Sequence, residues 1–441
     1  MLSLVFTFFY VIALNQGRGI PVISLPFALL IPAVIALKVK FKTFEYIIIV
    51  LAVTLFLLFG LFGSNELQGL LSADSYNQKR FLYIARNSLY AAGFLLFFIG
   101  FPRIIEKNLN KLSDLPGKIY AASFFLTLIN FILVVLAQLN STFRLIERTY
   151  SLSIKNTDQS LIDPVKSVFY DDFNRLTGFY SEPGYLSLAC VALIVVILSL
   201  LEYNARLIKV AYSESLVRNK YYTKNILLLM LAFNFVVILL SRSTYGLLNV
   251  SLIFFFAFLG QAKVRIVILR MIPLFCLVLL ITLGLFNINV NFISDGLSRS
   301  QSFFYGNESF QTRVGLLSLL AENPSILVTG SSDFISKEAS YHFLDSHNGL
   351  LAMPMLYGLA FFILLGICLY KTFAFLEPFS LSLRSSILLY LINTVVFRKI
   401  WTSPYPFTCV IGVMSSIFII CLLFKRFDLK FNNKISFDAP D

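Results

Sequence analysis

Charge is scarce in this chain. Only 13% of its 441 residues are Asp, Glu, Lys or Arg, about half the share that a soluble domain of this length carries. That deficit excludes an ordinary water-soluble globule. Histidine is scarcer still, with two in the whole chain, His342 and His347. The five cysteines (Cys190, Cys276, Cys368, Cys409 and Cys421) fall in or near apolar runs, and no CxxC spacing joins them. They read as buried membrane thiols, not as a disulfide framework or a zinc site. The net charge of +13 comes without any long Lys/Arg-rich arm interleaved with aromatics, so it does not point to nucleic acid. Regular polar/apolar alternation is missing as well, which excludes an outer-membrane barrel.

Apolar length is abundant. The chain is 58% hydrophobic with a mean hydropathy of +0.81. It repeatedly strings together roughly 15–20 apolar residues, enough to cross about 30 Å of hydrocarbon, and helices are the form such runs take in lipid. The pattern predicts an all-α integral membrane protein with about twelve transmembrane helices, near 2–14, 20–37, 43–63, 82–101, 119–139, 185–203, 226–240, 244–259, 271–286, 350–370, 387–400 and 407–424. The opening run MLSLVFTFFYVIAL has no basic n-region, and no small-residue cleavage pattern precedes NQGRG, so it reads as a retained first helix. With no internal repeat and no low-complexity linker, residues 1–441 form one membrane domain.

Lys and Arg gather in alternate connections. Residues 38–42, 102–118, 204–225, 261–270, 371–386 and the tail from Lys425 hold about 21 Lys/Arg in roughly 87 residues, against about 14 in roughly 142 on the other side. The positive-inside rule makes the first set cytoplasmic and places both termini inside. The two longest connections, 140–184 and 287–349, then lie outside; loops of that length either carry function or contain short helices of their own. TRVGLLSLLAEN (312–323) has the spacing of a short amphipathic helix lying along the membrane surface.

Chemistry-bearing residues collect on that outer side. In RLTGFYSEPGYLSL (175–188), Ser181 or Glu182 caps the sixth helix with Pro183 in its first turn. The helix dipole alone accounts for a carboxylate there; it does not account for Arg175. In SRSTYG (241–246), Arg242 occupies a tight outer turn, and Arg86 stands near the outer end of the fourth helix. The plain reading of each is an arginine snorkelling to the headgroups. The second long loop supplies Arg299 and Arg313, then YHFLDSHNGLLAMP (341–354). There Asp345 or Ser346 caps the tenth helix, placing His347 and Asn348 in its first turn, where the dipole favours a neutral imidazole able to accept a proton. Several arginines, a glutamate and a histidine thus border one outer vestibule. Arginine binds phosphate bidentately and keeps its charge in a partly desolvated site. A lipid-linked diphosphate has such a head group at such a depth, and the carboxylate and imidazole are candidates to activate an acceptor hydroxyl.

The hydropathy profile, together with RLTGFYSEPGYLSL, SRSTYGLL (241–248), TRVGLL (312–317) and DSHNGLLAMPMLYG (345–358), resembles the O-antigen polymerase (Wzy) and O-antigen ligase superfamily of bacterial membrane glycosyltransferases. The resemblance implies a GT-C-like architecture in the inner membrane with two large periplasmic loops and a periplasmic active site. It implies transfer of a glycan from undecaprenyl diphosphate with inversion at the anomeric carbon, in lipopolysaccharide or related surface-polysaccharide biosynthesis. In the polymerase version, lipid-linked glycans are both donor and acceptor, a chain-length regulator is a partner, and no cofactor is required. By motif, Arg175, Arg242 and Arg313 hold the diphosphate, and Glu182 or His347 orients or deprotonates the acceptor; Arg86, Asp345 and Asn348 complete the binding set. The sequence does not choose between Glu182 and His347. Two departures stand out: the paired arginine–glycine spacing of certain polymerases is missing from the loops, and no DxD motif supports a metal, with Asp171–Asp172 a thin alternative. The Glu-Pro pair in SEPG favours polymerase over ligase. A lipid-linked oligosaccharide flippase is the reading from another class, but the repeats and midplane charges of a transporter are not evident. Asn130 and Asn234, deep in apolar runs, read as interhelical hydrogen-bonding groups.

Overall fold

The computed structural model describes residues 2–18, 21–62, 73–154, 176–213, 224–241, 243–260, 349–397 and 404–437, with position 328. Among the described residues 91% are helical and there is no strand. The helices are α1 (Leu2–Asn15), α2 (Pro21–Lys38), α3 (Thr43–Phe62), α4 (Ala73–Asn108), α5 (Leu115–Leu139), α6 (Ser141–Ile154), α7 (Pro183–Ser213), α8 (Lys224–Ser241), α9 (Thr244–Gly260), α10 (Gly349–Phe375), α11 (Leu381–Phe397) and α12 (Pro404–Phe437). Short 3₁₀ turns follow α1 (Gln16–Arg18) and α4 (Leu109–Leu112). Eleven of the expected helices coincide with these; the expected helix at 271–286 and the amphipathic segment 312–323 lie outside the described residues. The addition is α6, which falls within the first of the two expected long loops.

Among the described residues six stretches are long and apolar enough to cross a membrane: Ser88–Leu112, Leu115–Leu139, Pro183–Ala205, Lys224–Ser241, Tyr357–Phe375 and Tyr405–Arg426. Leu29–Lys38, Thr43–Leu55, Tyr245–Phe256 and Leu381–Val395 are shorter apolar stretches. Length aside, the faces of α5 argue for lipid. Its outward stripe is Phe125, Ile129, Ile132, Leu136 and Leu139, while Ser123, Thr127 and Asn130 are buried. The two sets interleave at helical spacing, and apolar-out with polar-in is the reverse of a helix packed in water. The buried groups bond across helices: Tyr10 with Ser123 at 2.8 Å, Asn234 to Thr127 at 2.8 Å, and Asn393 to Asn249 at 2.7 Å. Lipid tails are as apolar as leucine, so these bonds and close packing hold the bundle together.

The apolar stretch of α12 is wholly enclosed and that of α7 nearly so. α12 packs against α1, α2, α4 and α7, and α7 in turn against α5, α8, α9 and α11. Phe97, Phe98 and Phe101 of α4 meet Phe418 of α12 with ring centroids 5.8, 5.7 and 6.4 Å apart. Cys190, Cys368, Cys409 and Cys421 are buried free thiols within this core, as expected from the apolar runs that hold them; Cys276 is outside the described residues.

Polar groups close the bundle at both ends, and they sort by chain segment. At one end Arg103 forks onto Glu45 at 2.8 and 2.5 Å, and Lys118 reaches Asp114 at 2.6 Å and Ser3 at 2.7 Å. At the same end Ser380 donates twice to Glu202 at 2.6 Å, and Arg426 bonds to Asn110. Most of these residues belong to the lysine- and arginine-rich connections identified from the sequence. The other end gathers the end of α1, the α5–α6 junction and the starts of α7, α9 and α12.

Candidate functional site

The segment 176–188 is the best-defined functional candidate among the described residues. Thr177–Tyr180 is a tight turn closed by Tyr180 N–H donating to Thr177 C=O at 3.0 Å. Both central residues are left-handed, Gly178 at φ +56° and Phe179 at φ +65°. Two positive φ values in succession define a type I′ geometry, which suits Gly178 but strains Phe179 by about 1–2 kcal/mol. Something must hold Phe179 there, and α6 supplies it. Phe143 and Tyr150 meet the Phe179 ring edge-on, each at 5.5 Å. Glu147 Oε1 accepts from Thr177 N–H at 2.7 Å, from Thr177 Oγ1 at 2.9 Å and from Gly178 N–H. Ser151 Oγ lies 2.8 Å from Thr177 Oγ1.

α6 is amphipathic in the sense a membrane surface requires. Leu145, Ile146 and Tyr150 face outward, whereas Glu147 and Ser151 are buried toward the turn. Arg144 and Arg148 flank Glu147 on the polar side, each with its Nε enclosed. Burial pushes the Glu147 carboxyl above the usual carboxylate range, against the opposing pull of the Thr177 and Gly178 hydrogen bonds and the Arg144 charge.

From the other side of the turn comes Arg18, a residue not singled out in the sequence. Its Nε donates to Gly178 C=O at 3.2 Å, Nη1 to Asn15 at 2.8 Å and Nη2 to Asn130 at 2.5 Å. The guanidinium lies over the Tyr180 ring, 4.7 Å from its centroid, a cation–π contact. Asn130 is thus an interhelical hydrogen-bonding group, as its place in an apolar run suggests: it accepts from the arginine and donates to Cys190 Sγ of α7 at 3.9 Å. Tyr150 Oη donates to Arg18 C=O at 2.8 Å and Ser181 N–H to Gly17 C=O at 2.8 Å. Among the described residues the acceptors of Arg18 are all neutral, and no carboxylate pairs with it. Guanidinium has five N–H donors; the contacts above use three.

Glu182 is the N-cap of α7, with Pro183 at N1. Its carbonyl accepts from Tyr185 N–H at 3.0 Å and Leu186 N–H at 3.3 Å. One turn further, Ser187 Oγ lies 3.0 Å from Ser241 Oγ at the end of α8, and Ser243 Oγ accepts from Gly246 N–H at 3.3 Å. Ser187, five residues after Glu182, thus meets Ser241, the neighbour of Arg242, in the first turns of α7. Tyr405, at the start of α12, reaches Leu14 C=O and Tyr185 C=O, each at 3.2 Å, and Thr408 bonds to Gln16.

Of the residues expected at the site, Glu182 is fully described. Arg86 lies on α4, with its side chain outside the described set; Arg175, Arg242, Arg313, Asp345, His347 and Asn348 lie outside the described residues. Missed from sequence were Arg18, Glu147, Arg144 and Arg148. The stripe Arg144, Glu147, Arg148, Ser151, at i, i+3, i+4 and i+7, was the available signal for α6. For Arg18 it was the position of a lone arginine in a tight connection, the feature that drew attention to Arg242.

Two cavities lie at the opposite, lysine-rich end. Comparison with protein-family models, curated proteins and solved structures finds no match for this chain.

Proposed function

We propose that this chain is a membrane glycosyltransferase that polymerises undecaprenyl-diphosphate-linked repeat units into O-antigen or a related surface polysaccharide. The observation that carries the reading is Arg18, which among the described residues is held beside the 177–187 segment without a carboxylate. Taking a guanidinium partly out of water costs several kcal/mol unless an anion compensates it. At the lysine-rich end the chain provides such anions, Glu45 and Asp114. Around Arg18 the described residues provide only neutral acceptors, and burial opposes ionisation of nearby Glu147. A diphosphate arriving at headgroup depth would complete the balance.

On this reading the twelve-span, GT-C-like architecture places both termini in the cytoplasm and the arginine-bearing end in the periplasm. Arg175, Arg242 and Arg313 bind the diphosphate, with Arg86, Asp345 and Asn348 lining the same vestibule. An acceptor hydroxyl, deprotonated by Glu182 or His347, attacks the anomeric carbon. The bond from that carbon to the diphosphate oxygen breaks, and the arginines stabilise the charge left on the leaving group. Glu182, held at a helix N-terminus that favours its charged form, is the weaker base of the two. Arg18 lends its charge to the same diphosphate, and Glu147, acting through the turn, is a positioning residue. Undecaprenyl-linked glycans and a chain-length regulator are the partners, in the inner membrane.

The test is reconstitution of the full chain in nanodiscs with a lipid-diphosphate-linked repeat unit, followed by gel analysis of the glycan. A ladder that disappears in Arg175→Ala, Arg242→Ala and Arg313→Ala, with expression unchanged, is the expected result. A single transfer seen only when lipid A-core is added would move the assignment to ligase. Substrate crossing the bilayer with no new glycosidic bond would make the protein a flippase.

A further inference from the structure

At the lysine-rich end, α4, α10 and α12 line a cavity of about 270 Å³, which shares Leu422 and Lys425 with the lining of a second of about 300 Å³. Its floor is apolar, with Phe98 and Leu422 almost fully buried. Its rim is cationic. Arg103, Lys107, Lys371, Lys425 and Arg426 face these cavities against Glu106 and Glu377. Glu45, which pairs with Arg103 at 2.5 Å and lies 3.8 Å from Lys371, lowers the surplus to two positive charges. Pro102 lines the same cavity from within α4; lacking an N–H, it leaves the Phe98 carbonyl, one turn back and also in the lining, without its helical donor. The cavity is at the ends of three stretches apolar enough to span, Ser88–Leu112, Tyr357–Phe375 and Tyr405–Arg426, and hence at headgroup depth.

An apolar floor, a basic rim and an acceptor without its helical donor, all at the membrane–water boundary, suit an amphiphile with an anionic, hydroxyl-bearing head. We propose that this groove binds an anionic phospholipid such as phosphatidylglycerol, its phosphate between Lys371 and Lys425 and its first acyl carbons over Phe98 and Leu422. Basic pockets between membrane helices take such head groups, and each cation near the surface strengthens binding by about fivefold. The site is separate from the arginine-bearing end and stands whether or not the transferase assignment holds.

The experiment is native mass spectrometry of the delipidated full chain titrated with phosphatidylglycerol or phosphatidylcholine. Lys371→Gln/Lys425→Gln is compared with Lys38→Gln/Lys40→Gln, which removes the same charge from the same end outside the groove; circular dichroism confirms that each variant is folded. Phosphatidylglycerol should be retained in preference to phosphatidylcholine. The groove variant should weaken it on the order of thirtyfold, and the control less than about twofold. Equal retention of the two lipids, equal weakening in both variants, or displacement of phosphatidylglycerol by millimolar inorganic phosphate would each overturn the proposal; the last would make the groove a site for soluble anions.

Discussion

Glu147 offers the most direct test of how the 177–180 turn is held. Truncation in Glu147→Ala removes the acceptor for the Thr177 and Gly178 amides and for the Thr177 hydroxyl. Both residues are buried, so two amides are left without a partner, at about 1–3 kcal/mol each. The strain at Phe179 is no longer opposed by the carboxyl. Local opening should become easier by about 2–6 kcal/mol, which corresponds to exchange of the two amides faster by roughly 30-fold to 10⁴-fold. Hydrogen-exchange mass spectrometry on a peptide covering 176–182 measures this without requiring reversible unfolding in detergent. Glu147→Gln should behave differently, because its amide oxygen keeps the Oε1 role and carries no charge to bury. The sign of the pH dependence follows. Burial raises the carboxyl above its unfolded value, so its contribution is fully present below the unfolded carboxylate range, near 4.3, and is lost as pH rises through the folded value. The wild-type turn should therefore exchange faster as pH rises above that range, after correction for intrinsic rates, and the glutamine variant should not. Unchanged exchange in the alanine variant, or a glutamine variant as open as alanine, would refute the clamp.

Two further substitutions test the packing on either side of the site. At Gly246 an added Cβ would come within 2.8 Å of the Ser187 Cβ; Gly246→Ala should part α7 from α9 and lower stability by about 1–3 kcal/mol, read as a drop in thermal unfolding midpoint in detergent. At the other end, Arg103→Ala leaves the buried Glu45 without its forked partner. It should cost about 3–5 kcal/mol, while Glu45→Gln/Arg103→Met should recover most of the loss in the same assay.

Much of the helical content was legible because hydropathy acts locally. Runs such as 119–139 and 407–424 declare themselves with no knowledge of their partners, and α5 and α12 cover them. The N-cap at Glu182 and Pro183 at N1 were legible for the same reason, since capping depends on four or five consecutive residues. Element length was not. α4 extends to Ala73 and α12 to Phe437 because a helix continues past the hydrocarbon wherever its polar turns find water or partners, as Arg426 finds Asn110. α6 was hidden by its composition: it is too polar to span, and only the outward set of Leu145, Ile146 and Tyr150 reveals the surface on which it lies. Arg18 was hidden by distance, for its acceptors Asn130 and Gly178 are 112 and 160 residues away. No local pattern predicts that a short turn after the first helix will lock the turn ahead of α7.

The two ends of the bundle handle positive charge in opposite ways, and the contrast bears on what the arginines are for. A residue that merely anchors a helix to headgroups extends its charge outward and keeps few protein contacts. Arg18 does the reverse: its fork is fixed by three neutral acceptors and its flat face rests on Tyr180. A purely structural arginine in such a place would be better served by an ion pair, as Glu45 serves Arg103, because a forked carboxylate meets hydrogen bonding and charge together. Fixing the geometry while no described carboxylate pairs with the charge leaves a positive potential near the head of α7, in surroundings that screen it less than bulk water. That potential falls on the segment where Glu182 caps α7 and where Ser241 and Ser243 flank Arg242. An end prepared in this way favours an incoming anion over a cation or a neutral sugar. Under the proposed transferase function, recognition of a lipid-linked glycan would begin with its diphosphate.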